Sequence, residues 1–103
     1  MNRVRFIRDD INDFLLSFDD DTVSKIISSL EILGELGEQI RPPKSKKVAK
    51  DIYELRVIAN LSVRIFYTFF KQDMWILHAF IKKSQKIPER ELKTAINRLG
   101  YLQ

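Results

Sequence analysis

Apolar side chains recur along this chain with two different periods, and the change of period marks a change of structure. Val4 and Phe6 alternate with Arg3 and Arg5, and Ile7 follows less cleanly, which predicts a short first strand. Ile11, Phe14, Leu15 and Phe18 then fall at helical spacing, with Asp9 or Asp10 placed to cap the start. Asp19 to Thr22 offer acids and a hydroxyl to a second helix start. Val23, Ile26, Ile27, Leu30 and Leu33 follow at i, i+3, i+4, i+7 and i+10, and Gly34 and Gly37 mark the end. Two amphipathic helices this close together read as a helical hairpin.

From Glu38 to Lys50 the period is lost. In EQIRPPKSKKVAK, Pro42 and Pro43 forbid helix, and Lys44, Lys46, Lys47 and Lys50 make a basic linker. Three runs rich in β-branched and aromatic residues follow: DIYELRVI, SVRIFYTFF and MWILHAFI. ANL at 59–61 and KQD at 71–73 are short enough for hairpin turns. Pro88 then opens a helix through Leu92, Ala95, Ile96 and Leu99 that stops at Gly100. The pattern predicts an α+β fold in one domain, 1–103, with a sheet packed on the N-terminal helical pair and a short C-terminal helix.

Side chains alternate across a strand, so each run splits into two faces. Tyr53, Leu55 and Val57, Val63, Ile65, Tyr67 and Phe69, and Trp75, Leu77, Ala79 and Ile81 form a wholly apolar set that should meet the helices. The opposite set gathers Glu54, Arg56, Arg64, His78 and Lys82 around Phe66 and Phe80. Cations interleaved with rings on a sheet suit single-stranded RNA: the cations bind phosphates and the rings stack on bases at about 1–3 kcal/mol each. The same residues also fit a structural role, with Phe66 and Phe80 packed under the last helix and Arg56 paired to an acid.

Charge sharpens this picture. Residues 1–40 hold 4 Lys/Arg against 9 Asp/Glu, and residues 41–103 hold 14 against 5. The halves are therefore −5 and +9, within a net charge of +4. Such asymmetry fits a polyanionic partner for the basic half, or mutual attraction of the halves. With no cysteine there is no disulfide framework or thiolate metal site. MNRVRFIRDD lacks the apolar core of a signal peptide, and no stretch approaches the roughly 20 residues that span a bilayer. A cytoplasmic domain is expected, without membrane attachment.

Few residues invite other chemistry. His78 is the lone histidine, and a histidine within an apolar strand is more often an interior residue than a catalyst. No zinc set, Gly-rich phosphate loop or nucleophile elbow is present, so neither metal nor cofactor is expected. Asp19, Asp20 and Asp21 are better read as helix caps than as a metal site.

YELRV, VRIFY and LHAFIKKSQKIPERELKTA, in this order, resemble the HigB branch of the RelE superfamily of bacterial toxins and the phage-derived Gp49-like group. The resemblance covers residues 36–99 well, and over residues 1–35 only the order strand, helix, helix agrees. It implies a RelE-like twisted antiparallel sheet with the helical pair on one face and a concave basic face opposite. It also implies the toxin of a type II toxin–antitoxin system: a ribosome-dependent endoribonuclease acting on mRNA in the decoding site, held inactive by a cognate antitoxin of the helix-turn-helix kind.

By the same resemblance, Arg64 in VRIFY would contact the scissile phosphate, Arg56 in YELRV would be a second cation on that face, and Lys82 and Lys83 a basic pair after the last strand. Lys44, Lys46 and Lys47, with Lys86, would track RNA or ribosome phosphates. Some relatives place a lysine base where this chain has Glu54, so that acid–base scheme does not transfer. Ile87 stands where relatives often have a capping threonine, a loss of about 1 kcal/mol. The expected reaction is metal-free attack of a ribose 2′-hydroxyl on the adjacent phosphate. Arg64, Arg56 and Lys82 stabilise the charge, either Glu54 or His78 acts as base, and Phe66 or Phe80 stacks on a splayed base. The rivals are a ParE-like gyrase inhibitor and a non-catalytic, phage-derived RNA-binding module of the same fold.

Overall fold

The computed structural model describes residues 3–103. The elements run β1 (Val4–Phe6), α1 (Asp9–Leu15), α2 (Asp20–Leu36), a 3-10 turn (Gly37–Gln39), β2 (Ser45–Ala49), β3 (Ile52–Ile58), β4 (Ser62–Phe70), β5 (Asp73–Ile81) and α3 (Glu89–Leu99). Five strands form one sheet in the order β1-β5-β4-β3-β2. β2 to β5 make an antiparallel meander, whereas β1 pairs parallel to β5, so the sheet is mixed rather than wholly antiparallel as the resemblance implied. No helix among the described residues is long and apolar enough to cross a membrane.

Local chemistry explains most boundaries. The Asp19 side chain accepts from the Thr22 backbone N–H and caps α2. Asp9 and Asp10 fall inside the first turn of α1, where negative charge complements the helix dipole, and the cap position is Arg8 with no side-chain cap bond. Gly34 lies within α2, and the helix ends at Gly37, whose φ of 54° suits glycine. Lys71 and Gln72 both take positive φ in the tight β4–β5 turn. Pro88 stands one residue earlier than expected, as the residue flanking α3.

Two features depart from the sequence reading. The basic linker contains a strand: Ser45–Ala49 pair with β3 as β2. It was illegible because an edge strand carries exposed charge, here Lys46 and Lys47, in place of an apolar period. The sheet is also covered on both faces, in three layers, whereas only the apolar set was expected outright to meet helices. Leu55, Val57, Val63, Ile65, Tyr67 and Ile76 pack against Ile11, Leu15, Ile26 and Leu33 of the helical pair. On the other face Ile52, Phe66, Leu77 and Phe80 pack under Ala95, Leu92 and Leu99 of α3.

A β-bulge explains the second core. Phe66 pairs with His78 but Tyr67 with Ile76, leaving Leu77 as the extra residue of β5. Strict alternation put Leu77 with Trp75 and Ala79. The bulge instead turns Leu77 to the α3 side and returns Ile76 to the core shared with α1 and α2. Each such side chain removed from water stabilises by about 1.5–3 kcal/mol, enough to hold an otherwise polar α3 against the sheet.

Candidate nucleic-acid interface

Arg56 and Arg64 stand directly opposite each other in the β3–β4 ladder, on the sheet face that α3 covers only in part. Directly opposed side chains are close neighbours, and like charges there repel. Glu54, two residues earlier on β3, supplies the offsetting charge: its Oε1 lies 3.8 Å from Nε of Arg64. Both residues are withdrawn from water, Glu54 to 0 % and Arg64 to 4 % exposure. At that distance the pair is coulombic and not hydrogen-bonded, and among the described residues neither carboxylate oxygen of Glu54 nor Nε of Arg64 has a hydrogen-bond partner.

Nη1 of Arg64 is held from the other side. It donates to Oγ of Ser62 at 2.8 Å and to the Val63 carbonyl at 3.4 Å. Burial draws the Arg64 pKa below the ordinary arginine value; the Glu54 carboxylate works against that shift and Arg56 adds to it. Arginine starts so high that the side chain keeps its charge at neutral pH.

The end of β5 completes the constellation. The Lys82 N–H donates to the Ser62 carbonyl at 2.8 Å, which brings Lys82 and Lys83 beside Arg64. Arg56, Arg64, Lys82 and Lys83 then line an open depression of about 420 Å³, along with Ser62, Ser84 and Gln85 and, among the described residues, no carboxylate. Four cations around one hollow form an anion site that can hold phosphates and stabilise charge developing on one of them.

The other expected cations flank this hollow and do not line it. The Lys44 carbonyl accepts from the Arg56 N–H at 2.8 Å, and its side chain is exposed. Lys46 pairs with Glu54 across the β2–β3 ladder and shares its face, whereas Lys47 pairs with Tyr53 and takes the other. Lys86 is exposed in the loop before α3, where its carbonyl accepts from Ser84 Oγ.

Four expectations are corrected. Phe66 and Phe80 do not offer stacking platforms: they are 0 % and 5 % exposed and pack together under α3, ring centroids 5.2 Å apart. Glu54 is wholly withdrawn from water and does not line the depression. His78 does not line the depression. Its Nε2 lies 3.1 Å from Glu91 Oε1, and its Nδ1 accepts from Arg98 Nη1 at 3.3 Å, so α3 holds it on both nitrogens.

Ser62 was missed by sequence reasoning. Its position two residues before Arg64 on one strand was the available signal, because period two puts both on one face. Arg98, which also donates to the Leu77 carbonyl at 2.9 Å and so satisfies the bulge, left no such signal.

The family described as phage derived protein Gp49-like matches this chain over residues 13–100. No curated protein matches it.

Proposed function

The chain belongs to the Gp49-like family of phage-derived proteins, within the RelE/HigB-like toxin group, and we propose that it is the toxin of a type II toxin–antitoxin pair that cleaves translated mRNA at the cationic depression. The observation that carries this reading is the convergence of Arg56, Arg64, Lys82 and Lys83 on one open hollow free of carboxylates. A single strand laid there meets cations from two strands and a loop.

The ribose 2′-hydroxyl attacks the adjacent phosphorus, the bond to the 5′-oxygen of the next nucleotide breaks, and a 2′,3′-cyclic phosphate and a 5′-hydroxyl result. Arg64, fixed by Ser62 and Glu54, stabilises the added negative charge on the phosphate oxygens, and Arg56 and Lys82 assist. One such donor is worth about 10²–10³ in rate. Glu54 acts as the residue that positions Arg64. Among the described residues no carboxylate or imidazole lines the hollow; on this proposal groups of the ribosome accept the 2′-hydroxyl proton and return one to the departing 5′-oxygen, and cleavage depends on translation. The partners are the ribosome with its mRNA in the cytoplasm and a cognate antitoxin.

A lining without carboxylate or imidazole among the described residues also suits one other reading, a module of this fold that binds RNA and leaves it whole. Primer extension on a reporter mRNA separates the two, with and without translation, for the wild type and for Arg56→Ala/Lys82→Ala. These two side chains can be removed without stranding Glu54. Translation-dependent cuts from the wild type alone support the toxin. Intact mRNA that still binds the folded wild type overturns cleavage in favour of the binding module.

A further inference from the structure

Rings interleaved with cations, the combination expected around Phe66 and Phe80, occur instead on the opposite sheet face beside β2. A row runs across three strands there: Lys47 pairs with Tyr53, and Tyr53 with Tyr67. Phe69 follows two residues along β4, on the same face. The Tyr53 and Tyr67 rings stack at 5.6 Å, and the Phe69 ring meets Tyr53 edge-on at 5.2 Å. Tyr67 is fully buried, and its hydroxyl bond to Ser45 Oγ at 2.6 Å fixes it against the other two. Tyr53 and Phe69 are only half-buried. All three rings line a hollow of about 220 Å³, walled by the segment that follows α2. Arg41, Lys46 and Lys47 stand around it, all exposed, and Glu38 is the one carboxylate of the lining among the described residues. Arg41 Nη1 donates to the Glu38 and Ile40 carbonyls at 2.8 and 3.1 Å. Among the described residues none of the three cations forms an ion pair.

We propose that this hollow holds one unpaired nucleotide of the same RNA strand that the cationic depression holds, its base on the rings and its phosphates on Arg41, Lys46 and Lys47. Apolar side chains of many kinds could meet the rings. Unpaired cations beside them select a polyanion, and RNA joins flat apolar faces to phosphates in one polymer. The hollow has room for one planar base and none for a base pair. The path between the two sites runs over the sheet edge. β2 is the last strand of the sheet, Lys46 shares the Glu54 face with the depression, and Lys47 takes the face of the rings. Lys46 nevertheless lines the hollow, so one strand passing over β2 meets cations on both sides of it. The site rests on the RNA-binding half of the proposed function and is independent of cleavage.

The test titrates the isotopically labelled full chain with a long, unstructured oligoribonucleotide. Two groups of amides are expected to move: Arg56, Lys82 and Lys83 in the depression, and Lys47, Tyr53 and Phe69 in the hollow. An abasic strand of the same length should move the first group and leave Tyr53 and Phe69 nearly still. Tyr53→Leu keeps an apolar side chain against Tyr67. It should weaken the base-bearing strand about tenfold and the abasic strand hardly at all. Lys47→Gln, at an exposed position, should weaken both. Shifts confined to the depression would overturn the hollow as a site and leave RNA binding standing. Shifts at Tyr53 and Phe69 that the abasic strand or a glutamate-rich peptide reproduces in full would overturn base binding, since charge alone then accounts for them. Cutting the strand into halves should cost affinity at both groups. Halves that bind as tightly as the whole would assign the hollow to a second RNA and overturn the shared path. No shift at either group would overturn the RNA reading and this site together.

Discussion

Glu54 and Arg64 form a diagonal ion pair across the β3–β4 ladder, carboxylate oxygen 3.8 Å from Nε, with both side chains withdrawn from water. Removing one partner of a buried pair strands the other charge, and removing both for apolar groups is often neutral. Glu54→Ala is therefore expected to cost about 3 kcal/mol, near the lower end for such pairs because no hydrogen bond is lost. The double variant Glu54→Met/Arg64→Met should recover most of that loss. Urea denaturation measures both. A single variant as stable as the wild type would show that water already reaches the pair.

The same geometry bears on how the basic hollow is tested. Arg64→Ala alone leaves Glu54 buried and unpaired, so lost activity in that variant mixes chemistry with stability. Arg56 and Lys82 are the cleaner probes, being at least partly open to water. Each phosphate contact on a single strand contributes about −0.7 to the slope of log affinity against log salt. Arg56→Ala and Lys82→Ala should each reduce the magnitude of the slope by about that amount, with little change in sequence preference. A filter-binding series across salt concentrations reads this directly, and an unchanged slope removes the residue from the phosphate track.

Phe66 and Phe80 give the opposite signature. Both sit under α3, so shortening either ring disturbs packing and not RNA binding. Phe66→Leu should lower stability by about 1–2 kcal/mol while RNA affinity holds. A large loss of affinity in a well-folded variant would mean that α3 leaves this face when RNA binds.

These residues also show what the sequence carried. The Leu55–Val57 and Val63–Ile65–Tyr67 alternation, the helical pair and the final helix were all legible, because each follows one period over several residues. Arg56, Arg64, Lys82 and Lys83 were legible as neighbours because period two and a hairpin bring them together. The fate of Glu54 was not, and for Phe66 and Phe80 packing under the last helix was legible only as one of two alternatives. A strand pattern separates two faces but does not say what covers each, and α3 carries few apolar residues to announce that it does. Nor does any local period reveal the Leu77 bulge, which depends on the register of a neighbouring strand. Lys46 and Lys47 hid a strand for a related reason: the charges that keep an edge from pairing also erase its alternation.

Asp19 ties the start of α2 to the β3–β4 hairpin. Its carboxylate accepts from the Thr22 N–H at 3.1 Å, from the Thr22 hydroxyl at 2.7 Å and from Asn60 Nδ2 at 3.0 Å. Chiefly the Thr22 hydroxyl bond, then the backbone bond, hold its pKa below the usual aspartate value, with a smaller contribution from Asn60. A carboxyl whose pKa is lowered on folding adds stability that is present above its unfolded pKa, about 3.9, and is lost as pH falls through the folded value. Asp19→Ala should therefore be less stable than the wild type at neutral pH, and the gap should narrow as the solution is acidified below about pH 4. Asp19→Asn keeps an acceptor for the Thr22 N–H but carries no charge, so it should lie between the two at neutral pH. Thermal melts of the three proteins across that range provide the check. A gap that stays constant into acid would mean that the Asp19 carboxylate is not what secures the helix. Because the same carboxylate reaches Asn60, its loss should also loosen the hairpin that presents Arg56 and Ile58, raising amide exchange at 59–61 before the rest of the sheet.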